Sequence, residues 1–280
     1  MTDRIPLAKR VTQWISSGEV ELPVLDEVAL RVYRESRAGL LDAEGICDLL
    51  KRDPVLVSDV LRLANSSFFG GLVEVRNLRH AVVRLGTRQL AALALSAGCK
   101  RLYRSSGEPF RGRLRELWRH TSAAAAAASW LAGRTPHRKL ADEAFVAGLL
   151  HDIGKLLILR TLEELSERDG APPTDEQIDE VIGALHCAQG ASLLETWNLP
   201  ELFPELVRQL EAAPPDTTNA VLCIVRLADR VCRREGLGLE PEAELVLEAM
   251  VESETLRVEA ETLEELVDML RTNFGAAASL

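Results

Sequence analysis

The feature that most constrains this chain is the spacing of its apolar residues, which recur every three or four positions between short Gly, Pro and Ser breaks. Leu49, Leu50, Leu56, Val57, Val60, Leu61 and Leu63 form one such stretch, with Pro54 placed to open a helix. Val82, Val83 and Leu85, then Leu90, Leu93 and Leu95, form two more around Gly86. Breaks fall at Ser16, Ser105, Gly170 and Ala212. Thr174 and Gln177 have the spacing of a capping box, opening a helix that carries Ile178, Val181, Ile182 and Leu185. No alternating strand pattern with a tight hairpin turn occurs, and no repeat of fixed period. Aromatic residues are only 4% of the chain, and Leu and Ala, both strong helix formers, are abundant. The expected fold is all-α, a helical bundle. The alanine run Ala123–Ala128, between Trp118 and Trp130, reads as its central buried helix, because small side chains let neighbouring backbones approach.

Charge narrows the function. The formal net charge is −10 over 280 residues, and from Glu235 to Asp268 twelve acidic residues face one basic residue, Arg257. This balance argues against nucleic-acid binding. Lys100, Arg101, Arg104, Arg111, Arg113, Arg115 and Arg119 form a local basic stretch against Glu108 and Glu116, read as a solvated face or a dock for an anionic partner. No apolar span reaches membrane length, and the start MTDRIPLAKR lacks the apolar core of a secretion signal, so a cytoplasmic location is expected. The five cysteines form no CxxC pair and are read as free buried thiols. Residues 241–274 read as one or two acidic amphipathic helices, with Leu245, Val246, Met250, Val251, Leu263, Leu266, Val267 and Leu270 facing inward.

The chemistry concentrates in His151-Asp152-Ile153-Gly154-Lys155. Adjacent helical residues point about 100° apart, so both His151 and Asp152 reach one cation only if it lies between their directions. Further ligands must come from other helices, and His120 and Asp229 lie in helical stretches before and after. Imidazole and carboxylate donors suit a divalent metal with positions left open to water. The same residues read equally as a buried hydrogen-bonded cluster tying helices together. Other residues carry paired readings. His186 is an extra ligand or a core histidine, and Lys155 a phosphate contact or a surface lysine. Asn65 and Ser66 are a helix-end device or a ligand contact. Asp53, ahead of Pro54, reads as a helix N-cap in preference to a catalytic carboxylate, and Trp197 and Pro200 pack a helix end.

The order His120, His151-Asp152, Asp229 resembles the H…HD…D pattern of the HD superfamily, in which four such residues ligate a metal used in phosphohydrolysis. Asp53-Pro54-Val55-Leu56, then Leu61-Arg62-Leu63-Ala64-Asn65-Ser66 and Phe69-Gly70, resemble the signature of HDOD domains. Arg79 to Gly86, Leu117 to Thr121, Ala144 to Lys155, Glu180, His186, Gly190, Leu194 and Trp197-Asn198-Leu199-Pro200 extend the likeness over about 22–215. The resemblance implies an all-helical HDOD unit over 22–233, with an N-terminal part at 22–103 and an HD-like part at 110–233, followed by an acidic helical tail at 240–274. It implies a bacterial signalling module acting through a partner signalling protein or a small ligand, without catalysis. The alternative is a single-metal phosphohydrolase acting on a nucleotide or phosphate ester. The family is regarded as having generally lost catalysis, yet this chain keeps all four candidate ligands for one divalent metal (Mn, Fe, Mg or Zn are not distinguished). It lacks the HHE and GYP motifs of the related HD-GYP phosphodiesterases, which makes a two-metal site improbable. Oligomeric state stays open.

Overall fold

The computed structural model describes residues 6–70, 73–104 and 107–275. Ser105 and Ser106 of the expected break lie outside the described residues, as does the Glu108 side chain. Among the described residues the fold is helices and connecting turns, with no strand, as the apolar period demands.

A first helix, α1 (Leu7–Ser17), ends in a left-handed Gly18 at the expected break. The N-terminal part contains α2 (Glu27–Arg37), α3 (Ala43–Leu50), α4 (Pro54–Ala64), α5 (Leu78–Leu85) and α6 (Thr87–Lys100). Asp53 caps α4, its Oδ1 accepting from the amides of Val55 and Leu56 at 2.9 Å, with Pro54 in the first turn. Its other oxygen meets Arg101, which also grips Asp26, the cap of α2. Gly86, at φ +84°, supplies the turn that joins α5 to α6 without strain. Helix α6 is buried from Leu90 to Cys99 and packs on α2 and α4.

The second part contains α7 (Glu108–Arg134), α8 (Ala141–Leu150), α9 (Ile153–Asp169), α10 (Asp175–Thr196), α11 (Leu202–Gln209) and α12 (Ala220–Arg234). The alanines of α7 are all buried, as expected of a central helix, and α8 and α12 pack against α7, with α6 on α8. Thr174 and Gln177 form the anticipated reciprocal cap at the start of α10. Helices α9 and α10 meet backbone to backbone at Gly154. A Cβ there would stand 1.8 Å from the carbonyl oxygen of His186, so no other residue fits. Trp197 Nε1 donates to Pro23 O, tying the end of α10 to the strap before α2, and Pro200 O accepts from Phe203 N at the start of α11.

The acidic tail folds onto its own chain. A 3₁₀ turn, α13 (Val251–Leu256) and α14 (Ala260–Phe274) cover α12 and α7. Leu263, Leu266, Val267 and Leu270 face inward as expected, but Val246 and Val251 do not: they are 63% and 41% exposed. Val246 lies in 241–250, which is largely turn, and Val251 opens the separate short helix α13, so no single helical period runs through both; Leu247 and Glu252 are buried instead, the latter paired with Arg226 at 2.6 Å. No described helix is long and apolar enough to cross a membrane. The cysteines are all free, four of them buried and Cys187 half-buried.

Candidate metal centre

His120 rises from the middle of α7, and Asp229 from α12. His151 and Asp152 do not sit within a helix: α8 ends at Leu150 and α9 begins at Ile153, so the dyad occupies the turn between them. That break removes the 100° constraint and lets both side chains face the same interior point. His120, His151, Asp152 and Asp229 are 3%, 1%, 2% and 5% exposed.

The geometry is tight. The two Nε2 atoms of His120 and His151 stand 3.2 Å apart. Asp229 Oδ1 lies 3.1 Å from the first and 3.7 Å from the second, and Asp152 Oδ2 lies 3.4 and 3.5 Å from them. One ligand atom each from His120, His151 and Asp229 falls within 4.8 Å of the others.

The imidazole tautomers follow from their outer contacts. His120 Nδ1 donates to Leu237 O at 3.0 Å, and His151 Nδ1 donates to Gly148 O at 2.7 Å, since a carbonyl can only accept. Neutral rings therefore direct two Nε2 lone pairs at each other and at two carboxylates. Four electron-rich atoms converging in a dry interior require a cation or a proton between them. Outer carbonyls that fix the tautomer are also what a metal-binding histidine needs. Asp152 Oδ2 is buried without a properly directed hydrogen bond, an acceptor with spare capacity. The donor set, two imidazoles and two carboxylates, thus fits one divalent cation.

Without a metal, a proton fills that role. Burial pushes the His120 imidazolium down, but the carboxylates of Asp152 and Asp229 outweigh it and raise its pKa to about 9. Burial alone would raise the Asp229 carboxyl, yet the two histidines hold it far below the usual range. Asp152 is likewise held down against burial, chiefly by Lys155 and His151.

Lys155 proves to be a buried cation, not a surface lysine. Its Nζ stands 3.0 Å from Asp152 Oδ2 and 3.5 Å from Glu240 Oε2. Burial would weaken the ammonium, but Asp152, Glu240 and Asp229 keep it above its ordinary range. Glu240 belongs to a segment that sequence reasoning had assigned to a separate tail. Residues 236–242 wrap from the end of α12 over the cluster, held by Arg233, which meets Asp229, Glu240 and Glu242. Gly238, at φ +118°, lies flat on the His120 ring; a Cβ there would be 2.9 Å from Nδ1. Leu237, Gly238, Glu240 and Arg233 were thus missed. The run of carboxylates after Glu235 was visible, but its destination was not.

His186 stands apart from the cluster. Its Nδ1 donates to Ile182 O at 2.9 Å and its Nε2 meets Cys187 Sγ at 3.3 Å, so both nitrogens are used within α10. It behaves as a core histidine, not an extra ligand. Asn65 and Ser66 are distant helix-end groups. Asn65 caps α4 and brackets Val75, Oδ1 accepting its N–H at 2.7 Å and Nδ2 donating to its carbonyl at 2.8 Å, while Ser66 Oγ donates to Leu63 O. Three members of the basic stretch are engaged internally: Arg101 by Asp26 and Asp53, Arg113 by Asp175 and Asp179, Arg119 by Glu116 and the Phe274 carbonyl.

A helical core that gathers His120, His151, Asp152 and Asp229 is the arrangement that the H…HD…D resemblance implies. The HDOD domain family model matches residues 22–213, and the chain belongs to that family. It is 27% identical over 223 residues to an uncharacterized protein of Treponema pallidum (strain Nichols), covering 76% of this chain and 42% of that one, so it spans less than half the relative's length. Its fold is shared with an HDOD domain protein of unknown function from Geobacter sulfurreducens (TM-score 0.74, 24% identity, 94% and 93% of the two chains). It is also shared with a chain from Marinobacter aquaeolei VT8 provisionally named a signal transduction protein (TM-score 0.68, 22% identity, 96% of this chain and 59% of that one).

Proposed function

We propose that this chain is a regulatory HDOD module for bacterial signal transduction, in which one divalent cation is held by His120, His151 and Asp229 with Asp152 and is used for structure or sensing instead of turnover. The observation that carries this reading is the seal over the centre: the Leu237 carbonyl sits on His120 and the Glu240 carboxylate on Lys155. A phosphate ester needs a cationic approach and room for water beside the reacting atom. Here the one lysine at the cluster is already neutralised by two carboxylates, and the four candidate ligands are buried.

When bound, the cation would supply Lewis-acid charge that joins α7, α12 and the α8–α9 turn. The residues themselves do the rest. Gly148 O and Leu237 O orient the imidazoles, Lys155 balances Asp152, and residues 236–242 exclude solvent. Output then passes by non-covalent contact to a signalling protein, with the unit at 22–233 as the module and 240–274 as its cover.

The test is metal analysis of the purified protein, followed by Mn²⁺-supplemented assays with bis-p-nitrophenyl phosphate and p-nitrophenyl phosphate. Bound metal with no hydrolysis above the Asp152→Ala variant is the expected result. Turnover that disappears in Asp152→Ala would overturn it in favour of a single-metal phosphohydrolase. A partner captured by both wild type and Asp152→Ala identifies a scaffold role independent of the metal.

A further inference from the structure

A second chamber lies on the opposite side of this site's shared helix α7. It is a cavity of about 1040 Å³ between α6, α7, the turn after α4 and the end of α14. That is at the upper end of the range typical of small-molecule sites, roughly 300–1,000 Å³. The motif residues Asn65, Ser66 and Phe69, which the metal centre does not use, line it. One wall is aromatic, and the rest of the lining is largely polar, including Arg62, Arg76 and Glu74. Phe69 packs edge-on against both Phe68 and Phe145, with ring centres 4.6 and 5.4 Å away, and Trp118 lies across from them. The walls are fixed: Asn65 brackets Val75, Ser67 is hydrogen-bonded to Asn273 of α14, and Arg119 holds the Phe274 carbonyl at 3.0 Å.

Two polar groups in this chamber lack partners. Ser122 Oγ is buried with no hydrogen bond, one helical turn beyond Trp118 on α7. Lys100, half-buried at the end of α6, has no carboxylate within ion-pair distance among the described residues. The carboxylate that attracts it, Asp59, is already bound to Arg62. Burial and the like charges of Arg62 and Arg104 pull its ammonium below the ordinary range, the condition of a cation with an unmet need for an anion. Its Nζ stands 6.0 Å from the Trp118 ring centre, at the boundary between the aromatic wall and the polar end.

We propose that this chamber is a binding site for a small aromatic organic acid, whose ring lies among Phe68, Phe69, Phe145 and Trp118 and whose anionic head meets Lys100 and Ser122. Flat rings match edge-to-face aromatic walls, and an anion satisfies both the lone ammonium and the orphaned hydroxyl. The site is separate from the metal centre and does not depend on the reading given to it.

The experiment uses the full chain and two fluorescent probes of similar body. One is 8-anilinonaphthalene-1-sulfonate, an aromatic anion; the other is N-phenyl-1-naphthylamine, its uncharged counterpart. Saturable one-to-one binding of the sulfonate is expected, with quenching of tryptophan emission. Lys100→Met, verified as folded by circular dichroism, should weaken the sulfonate about tenfold or more and leave the uncharged probe within about twofold. Treatment with EDTA should change neither affinity, which separates this site from the metal. Absence of saturable sulfonate binding, equal sulfonate affinity in Lys100→Met, or equal losses for both probes would each overturn the proposal.

Discussion

Glu240 Oε2 stands 3.5 Å from Lys155 Nζ, which also meets Asp152 Oδ2 at 3.0 Å, so one buried ammonium ties the segment after α12 to the cluster. The pair is asymmetric: the Lys155 side chain is 7% exposed and that of Glu240 is 37%. Glu240 is therefore the movable member. Glu240→Gln is expected to lower stability by no more than about 1 kcal/mol, since a partly exposed pair is screened by water. It should also speed amide hydrogen exchange in residues 237–242 relative to the rest of the chain. Exchange mass spectrometry checks both; unchanged protection in that segment would show that Glu240 does not hold the cover.

Asp152 presents the opposite case. Removing it leaves Lys155 buried with Glu240 as its remaining near carboxylate. Asp152→Ala is expected to cost about 3–5 kcal/mol in urea denaturation. Asp152→Ala with Lys155→Met should recover much of that loss, because the stranded ammonium is gone. Equal destabilisation in the single and double variants would refute the pairing.

The pH response of metal-free protein follows from His120. Its folded pKa is raised, to about 9 from an ordinary 6.5, so protonated His120 stabilises the fold. That contribution is complete below about pH 6.5 and disappears as pH rises through about 9. Thermal melts after EDTA treatment should fall across this window, by on the order of 3 kcal/mol from this group, and His120→Gln should flatten the slope. Metal and proton compete for the same place, so added Mn²⁺ should hold stability up at the alkaline end.

The backbone contact at Gly154 makes a sharper prediction. A methyl group there collides with the His186 carbonyl, so Gly154→Ala should lose several kcal/mol or fail to fold. Gly183, exposed on the same α10 with open space around its Cβ position, is the control. Gly183→Ala should be neutral or gain about 0.5–1 kcal/mol from helix propensity. Melting temperatures of the two variants decide it.

The helical class and the elements of the HDOD unit were legible because apolar spacing, caps and breaks are local signals. Asp53, Thr174 and the alanines of α7 each declare themselves within a few residues. His120, His151, Asp152 and Asp229 were legible as a set only through their order along the chain; what placed the dyad in a turn was a helix break that no proline or cap announces. The roles of Leu237 and Glu240 were hidden for a different reason. One acts through its carbonyl, which carries no side-chain signature, and the other is one carboxylate among many in an acidic run. Val246 and Val251 were misread inward because one periodic pattern was extended across a turn segment and into a separate short helix.

The family match stops at residue 213, yet α12 lies beyond it and carries Asp229. Excising 22–213 as a self-contained piece would strip His120 of both its aspartate neighbour on α12 and its carbonyl partner at Leu237. It would also strip α7 of its packing against α12, whose Leu222, Val225 and Leu227 belong to the core. A transplant meant to carry this centre into another protein must therefore run at least through Glu242.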